Sequence, residues 1–217
     1  LLPTYDIFDE YRHFEPNKTF SVFEFEGERV ALTVCEDLWD DQPTNNSFGK
    51  SKLYITSPLE ELSKQNPDLV INISASPFSY NQEGARKAIM LKNAGEYGVP
   101  IVYVNQVGAQ TELVFDGGSM MIDRKGTVLH EMAYFAEDFK IIDTQQTGQQ
   151  QLQASKSSIE KIHDALVLGI RDYFSKTGFK TATLGLSGGI DSAVVCALAV
   201  RALGAQNVRV LLMPSKY

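Results

Sequence analysis

The segment from 181 to 213 constrains the fold most, because it contains a strand, a glycine loop, a helix and a second strand in direct succession. "TATLGL" is a short apolar run typical of a buried strand, and "VRVLLM" is another. Between them, "DSAVVCALAVRALG" has the composition of a helix that ends at Gly204. Two apolar strands joined through a helix predict a parallel β-α-β unit, so the chain is expected to be an α/β protein.

The first 142 residues show the same alternation of apolar runs and helical segments. "RVALTVC", "LVINISAS" and "VPIVYVNQVG" predict buried strands, with helices expected within 57–68 and 83–98. "FSVFEF" alternates before a turn at Gly27, and 117–132 predicts a hairpin with Lys125-Gly126 in its turn. A layered α/β or α+β domain is therefore expected here.

Residues 143–157 are polar, rich in Gln and Ser, and almost without apolar anchors. This composition predicts a solvated linker between a first domain at 1–142 and a second at 158–217. An amphipathic helix follows, with Ser158 as its expected N-cap and Gly178 as its stop. Its apolar positions at helical spacing are Ile159, Ile162, Leu166, Ile170 and Phe174.

Composition excludes several classes of function. The formal charge of -7 and the pI near 5.0 argue against a general nucleic-acid binder, because phosphate backbones select basic faces. No apolar run approaches the roughly 18 to 20 residues that span a bilayer, and the first residues do not resemble a signal peptide. The two cysteines, Cys35 and Cys196, lie far apart, which indicates no zinc site and a reducing compartment, the cytoplasm by default.

The loop "LSGGIDS" has the residue types that bind phosphate at the start of a helix. A helix N-terminus after a parallel strand presents free N–H groups, and Gly188 and Gly189 let a phosphate approach the backbone closely. Ser187 and Ser192 offer hydroxyl donors, while Asp191 is expected either to cap the helix or to help hold a magnesium ion. The alternative is a tight strand-to-helix turn capped by Asp191 or Ser187.

Ser-Gly-Gly-x-Asp-Ser resembles the PP-loop of the ATP pyrophosphatase families, and all five fixed positions match. Those enzymes cleave ATP to AMP and pyrophosphate and use the AMP to activate a carboxylate or an amide-like oxygen. The resemblance implies binding of ATP, with its Mg²⁺, by Gly185, Leu186, Ser187, Gly188, Gly189, Ile190, Asp191 and Ser192.

Cys35 ends an apolar strand and is followed at once by two carboxylates, in "ALTVCEDLWD". A thiol at a strand end is well placed to attack a carboxamide carbon, and the backbone N–H of Glu36 is a possible oxyanion donor. None of the three histidines has a sequence context that suggests a catalytic base. Cys196, within "AVVCALAV", is expected to be a small buried hydrophobe.

"VCEDLW" resembles the nucleophile turn of the nitrilase superfamily, which uses Glu, Lys and Cys. "LLPTYDIFDEYRHF", "NISASPF" and "VNQVGAQTELVFDGGS" resemble stretches of its glutamine-hydrolysing branch. Together with the PP-loop they resemble the glutamine-dependent NAD+ synthetases. This implies part of a nitrilase-like α-β-β-α sandwich, followed by the start of a doubly wound parallel-sheet PP-loop domain.

The resemblance also implies roles for individual residues. Cys35 would be the nucleophile, Tyr5 and Ser76 would hold glutamine, and Glu36 and Glu10 would support the site. The family's catalytic lysine and general-base glutamate are expected before Leu1, so this chain alone is expected to hydrolyse glutamine poorly. Gln82 stands where the family often has a basic residue, with Arg86 and Lys87 later, so the contact to the glutamine carboxylate stays unassigned.

The implied reaction is the amidation of AMP-activated nicotinic acid adenine dinucleotide by ammonia that Cys35 releases from glutamine. The implied partners are these small molecules and, in the family, further copies of the chain. Two alternatives remain open at this point. One is a carbon–nitrogen hydrolase whose PP-loop domain binds nucleotide only to regulate it, and the other is a catalytically dead binding or assembly module.

Overall fold

The computed structural model describes residues 1–3, 8–39, 54–80, 82–145 and 150–213. The strands are β1 Val22–Phe25, β2 Glu28–Val34, β3 Leu69–Ser74, β4 Ile101–Asn105, β5 Val107–Gln110, β6 Leu113–Asp116, β7 Met120–Ile122, β8 Val128–Glu131, β9 Ala182–Leu186 and β10 Val208–Leu212. The α-helices are α1 Pro58–Ser63, α2 Gln82–Tyr97, α3 Ser158–Thr177 and α4 Ile190–Leu203. Short 3-10 helices span Glu10–Arg12, Cys35–Leu38 and Ala205–Asn207.

The main sheet has six strands in the order β1-β2-β3-β4-β7-β8. Strands β2, β3 and β4 run parallel, whereas β1, β7 and β8 pair antiparallel. The predicted hairpins are present: Gly27 lies in the turn between β1 and β2, and Gly126 in the turn between β7 and β8. Gly126 must be glycine, because its φ is +75° and a Cβ would lie 2.5 Å from the carbonyl oxygen of Leu91.

Helices α1 and α2 cover one face of this sheet. Val70, Ile101 and Tyr103 on that face are fully buried and belong to the same core cluster as Leu62 of α1 and Met90 of α2. The alternate residues point to the opposite face because side chains in a strand alternate. Large apolar side chains are exposed on that face, among them Leu32, Val34, Ile73 and Val104. It is the face on which the second sheet of the expected sandwich would pack.

One predicted strand is divided in the structure. The run "VPIVYVNQVG" was expected to be a single strand, but it breaks at Gln106 into β4 and β5. Strand β5 leaves the main sheet and forms a separate two-stranded hairpin with β6. The backbone N–H of Gln106 donates to the carbonyl oxygen of Ser74, the last residue of β3. Beyond this hydrogen bond the chain leaves the main sheet.

Helix α3 packs on this β5–β6 hairpin. Ala165 and Leu168 of α3 are buried against Val107 and Val114, together with Phe135. The predicted apolar stripe was wrong in part, because Ile159 is 70% exposed and Leu166 is 48% exposed. The predicted N-cap was also displaced by one residue: Ser157, and not Ser158, accepts from the backbone of Glu160 in a capping box. Gly178 ends the helix in the left-handed conformation, as predicted.

The described residues of the polar segment before α3 are exposed, yet some of them pair with the sheet. Gln151 donates its backbone N–H to the carbonyl of Leu129 at 2.7 Å and accepts from the N–H of Glu131 at 2.9 Å. Both the N–H and the side-chain amide of Gln153 also donate to Glu131. Residues 150–153 therefore lie along the edge strand β8, which a freely solvated linker would not do.

Strands β9 and β10 pair in parallel with α4 as their connection, so the predicted β-α-β unit and the α/β class are confirmed. In the part of the chain that the structure describes, no helix combines the length and the apolar character that crossing a bilayer requires.

Candidate functional site

Cys35 occupies a strained turn at the carboxyl end of β2. It opens the 3-10 helix Cys35–Leu38, and its φ of +42° lies in the left-handed region that residues with a Cβ avoid. Holding such a residue costs about 1–2 kcal/mol, and positions of this kind concentrate at functional sites. The strain therefore supports a chemical role for the Cys35 thiol.

Three side chains hold this turn in place. Asp37 accepts a hydrogen bond from the backbone N–H of Val34 at 2.9 Å. The side-chain amide of Asn93 in α2 donates to the carbonyl of Leu38 at 2.9 Å. The buried Asn72 of β3 lies below the turn, with its amide 3.5 Å from the carbonyl oxygen of Cys35.

The surroundings of the thiol favour its neutral form. Burial raises the pKa of Cys35, and the charges of Glu36 and Asp37 raise it further. Hydrogen bonds from the Ala75 backbone and the Ser74 side chain act in the opposite direction but do not cancel this rise. Formation of the thiolate therefore requires a proton acceptor close to the sulfur.

The predicted glutamine-binding residue Ser76 lies one residue beyond Ala75, which contacts the thiol. The parallel pairing of Val34 with Ile73 brings the carboxyl ends of β2 and β3 together. Ser76 is half-buried, and its backbone N–H donates to the side-chain oxygen of Asn105 at 2.9 Å. The structure therefore brings Cys35 and Ser76 into one site.

The other predicted residues of this site differ in their placement. The Glu36 carboxylate is buried and accepts from the hydroxyl of Tyr54 at 3.0 Å. Glu10 is half-buried, and none of the hydrogen bonds or ion pairs in the described ranges joins its side chain to Cys35. Tyr5 lies outside the described residues.

Arg86 and Lys87, the two basic residues considered for the glutamine carboxylate, are both paired with acidic side chains. Arg86 forms a two-pronged ion pair with Asp116, with distances of 2.9 and 2.7 Å, and both side chains are about 2% exposed. Lys87 pairs with Glu131 at 3.0 Å. Both side chains are therefore engaged by acidic groups of the protein itself.

Sequence reasoning missed a set of buried polar residues around this site. Asn72, Tyr103 and Asn105 have exposed fractions of 8% or less and lie on the face that carries Ser74. Burial raises the pKa of Tyr103 to about 12, and the side chains of Ser74 and Ser76 lie near its hydroxyl. The sequence did carry a signal for these residues. Asn72 interrupts the apolar run "VINIS", and Tyr103 and Asn105 occupy alternate positions of "IVYVN".

The glycine loop forms a second site at the carboxyl end of β9. Gly188 has a φ of +89°, and a Cβ there would meet nothing within 4 Å. The hydroxyl of Ser192 donates to the carbonyl of Gly189 at 2.9 Å and lies 3.2 Å from the hydroxyl of Ser187. The two serines therefore shape the loop from inside, while a Cβ at Gly188 would face open space.

The start of α4 has no side-chain cap. Gly189 is the N-cap residue and carries no capping hydrogen bond, while Asp191 lies exposed within the first helical turn. Of the two residues that the alternative names, Asp191 forms no capping hydrogen bond among the described residues, whereas the hydroxyl of Ser187 accepts the backbone N–H of Gly189 at 3.4 Å. Unsatisfied N–H groups and the positive end of the helix dipole suit an anionic ligand.

Gly185 leaves room for a neighbouring side chain. A Cβ on this residue would lie 2.5 Å from the sulfur of Met213. The two residues lie at the ends of neighbouring parallel strands, so glycine makes room for Met213 beside the loop.

Within the described residues, no group of three or more His, Cys, Asp or Glu side chains is arranged to hold a metal ion.

Comparisons with known proteins cover the whole chain. Residues 162–217 match the model of the NAD synthase family. The chain is 41% identical over its whole length to the glutamine-dependent NAD(+) synthetase of Synechocystis sp., of which it covers 39%. It is 34% identical to the enzyme of that name from Acinetobacter baylyi, of which it covers 38%.

A solved structure extends this agreement to the fold. The glutamine-dependent NAD+ synthetase from Acinetobacter baumannii, in complex with adenosine diphosphate, matches with a TM-score of 0.84 and 32% identity. The match covers 100% of this chain and 39% of that chain. The chain thus spans about two fifths of the length of the relatives it matches. Over that span it is similar to enzymes named glutamine-dependent NAD(+) synthetase.

Proposed function

We propose that the protein containing this chain is a glutamine-dependent NAD+ synthetase, an ATP-dependent carbon–nitrogen ligase. The observation that carries the proposal is the match of the whole chain, at 41% identity, to a synthetase of that name. The match includes both the Cys35 turn and the glycine loop. An amidase alone would not need a loop with an uncapped helix N-terminus.

In the first reaction Cys35 attacks the carboxamide carbon of glutamine. The tetrahedral intermediate collapses, the carbon–nitrogen bond breaks, and ammonia leaves with the proton taken from the thiol. Water then hydrolyses the glutamyl thioester to glutamate and restores Cys35. Since the thiol is neutral in these surroundings, the reaction requires a base, which the family resemblance assigns to residues before Leu1. The backbone N–H of Glu36 would stabilise the oxyanion, and Ser76 and Tyr5 would orient glutamine.

In the second reaction the glycine loop binds ATP as its magnesium complex. The N–H groups at the start of α4, with the hydroxyls of Ser187 and Ser192, would hold the pyrophosphate end. The ADP complex of the relative from Acinetobacter baumannii supports nucleotide binding. The exposed carboxylate of Asp191 would help to hold Mg²⁺, a hard cation whose charge would neutralise the phosphates.

The nicotinate carboxylate of nicotinic acid adenine dinucleotide attacks the α-phosphorus of ATP. This forms an adenylate and releases pyrophosphate, and ammonia then displaces AMP to give the amide of NAD+. We place the enzyme in the cytoplasm, in line with its two free cysteines. The family resemblance implies that it forms a homo-oligomer. Cell fractionation and light scattering test these two points.

The test of the function uses the full-length protein with ATP, magnesium, nicotinic acid adenine dinucleotide and either glutamine or ammonium. Wild type is expected to make NAD+ from both nitrogen sources, and Cys35→Ala from ammonium alone. The Cys196→Ala variant controls for removal of a thiol and should retain both activities. Failure of the wild type with both nitrogen sources would overturn the proposal. Glutamine hydrolysis without NAD+ formation would instead support a hydrolase with a regulatory loop.

A further inference from the structure

A buried polar network lies directly behind Ser76. Asn105, the last residue of β4, is paired with Ser74 across the sheet. Its side chain reaches Ser76 in the segment that follows β3, called here the Ser76 turn. Its side-chain oxygen accepts the backbone N–H of Ser76 at 2.9 Å. Ser76 itself lies beyond the end of β3, where the regular sheet pairing has stopped. The Asn105 side chain therefore takes the place of a strand partner.

The orientation of the Asn105 amide is fixed from its other side. Its NH₂ group donates to the carbonyl of Gly117 at 2.8 Å and to a carboxylate oxygen of Asp116 at 3.2 Å. Its backbone N–H donates to the hydroxyl of Ser119 at 2.9 Å. With both amide hydrogens committed, the oxygen must point to Ser76.

Asp116 is in turn held by Arg86. The guanidinium of Arg86 binds both oxygens of Asp116 and lies 5.8 Å from the centre of the Tyr103 ring. Fully buried, charge-assisted pairs with two parallel hydrogen bonds are among the most geometrically defined contacts in proteins. The network thus joins α2, β4 and β6 into one support for the Ser76 turn.

We propose that Asn105, held by the Arg86–Asp116 pair, is a positioning residue that sets the Ser76 turn for glutamine binding. This inference rests on the proposed glutaminase reaction at Cys35. Asn105 touches neither the thiol nor the expected substrate. It acts by fixing the backbone of Ser76, the residue expected to hold glutamine. A displacement of about 1 Å at such a position can lower the rate about a hundredfold.

The test measures NAD+ synthesis by the full-length protein carrying Asn105→Ala, with glutamine or with ammonium. KM for glutamine is expected to rise about tenfold or more, and ammonium-driven synthesis to stay within about twofold of wild type. Val99→Ala is the matched control, since Val99 is 3% exposed and precedes the opposite end of β4. It is expected to lower the melting temperature without changing KM for glutamine.

A second readout separates this inference from the proposed function. The chloroketone analogue of glutamine should alkylate Cys35 of the wild type, and failure to do so contradicts the glutaminase assignment. Asn105→Ala should react more slowly with this analogue but at an unchanged rate with iodoacetamide, which does not need the glutamine site. Equal rates with the chloroketone would overturn the role of Asn105. The Asn105→Ser variant, which keeps a polar group in the pocket, replaces the alanine variant if that one does not fold.

Discussion

At the scale of single residues, Cys35 combines a strained backbone with a thiol that resists ionisation. The left-handed φ of +42° turns its side chain towards the end of β3, where the Ala75 backbone and the Ser74 hydroxyl contact the sulfur. These two contacts do not compensate for burial and for the two carboxylates that follow in sequence. The position of the Cys35 thiol is therefore fixed locally, whereas formation of its thiolate depends on groups outside these contacts.

The pH dependence of alkylation tests this view of Cys35. Burial raises the pKa of its thiol above the ordinary value, so the thiolate is a minor species at neutral pH. In the 217-residue chain carrying Cys196→Ser, the iodoacetamide rate should rise about tenfold per pH unit from 7 to 9 without a plateau. Free cysteine, run in the same buffers, should level off near its pKa of about 8.5. A plateau for Cys35 below pH 8 would show that the thiolate is stabilised.

Gly188 offers a test in which backbone strain is separated from ligand binding. Gly188 and Gly27 have φ values of +89° and +84°, and a Cβ on either meets nothing within 4 Å. Replacing either glycine with alanine should therefore lower the free energy of unfolding by about 1–2 kcal/mol. In the full-length protein only Gly188→Ala should weaken ATP binding, by about tenfold, or roughly 1.4 kcal/mol. Calorimetric titration that shows equal loss for both variants would contradict a phosphate site at this loop.

At the scale of elements, the start of α3 is set by one serine and not by its neighbour. The hydroxyl of Ser157 accepts the backbone N–H of Glu160, and the Glu160 carboxylate accepts the backbone N–H of Ser157 at 2.8 Å. Ser158, predicted as the cap, is instead the first residue of the helix. Consecutive serines give the same local signal, and the geometry of the entering chain selects between them.

Paired alanine substitutions distinguish the two serines. Ser157→Ala should lower the free energy of unfolding by about 1 kcal/mol, because the N–H of Glu160 loses its acceptor. Ser158→Ala should change it by less than about 0.5 kcal/mol, as expected for an exposed site without a capping role. Urea denaturation of the two variants measures the difference. Equal effects would show that the capping box does not form.

At the scale of the whole molecule, α3 connects the two parts of the chain through the β5–β6 hairpin. Leu168 is 7% exposed and packs in the cluster with Val107 and Val114. Asp172 accepts the backbone N–H of Ala109 at 2.7 Å, which adds a polar contact at the far end of the hairpin. The helix that precedes the glycine-loop unit is therefore packed on the part that carries Cys35.

Two leucines of α3 test this packing. Leu168→Ala should cost about 2–5 kcal/mol of unfolding free energy, because it leaves a cavity between the helix and the hairpin. Leu166→Ala, at a side chain that is 48% exposed, should cost less than about 0.5 kcal/mol. Chemical denaturation of both variants gives the comparison. A larger loss for Leu166 would mean that the opposite face of the helix is the buried one.

The sequence alone determined the parts of the fold that depend on neighbours along the chain. The β-α-β unit, the turns at Gly27 and Gly126 and the glycine loop follow from apolar periodicity and from backbone conformations that favour glycine. The position of Cys35 at a strand end follows in the same way. Such features are local, so a pattern of a few residues is enough to specify them.

Tertiary structure alone decided which distant residues meet. Ser76 and Asn105 are 29 residues apart, and Arg86 and Asp116 are 30 apart, and no local pattern pairs them. Periodicity marked the apolar positions of α3 but not which of them would face the hairpin, so Leu166 was expected inside and Leu168 was overlooked. The break of one apolar run into β4 and β5 has the same origin. Strand order and register choose these contacts, because the free energy they contribute exists only after the sheet has formed.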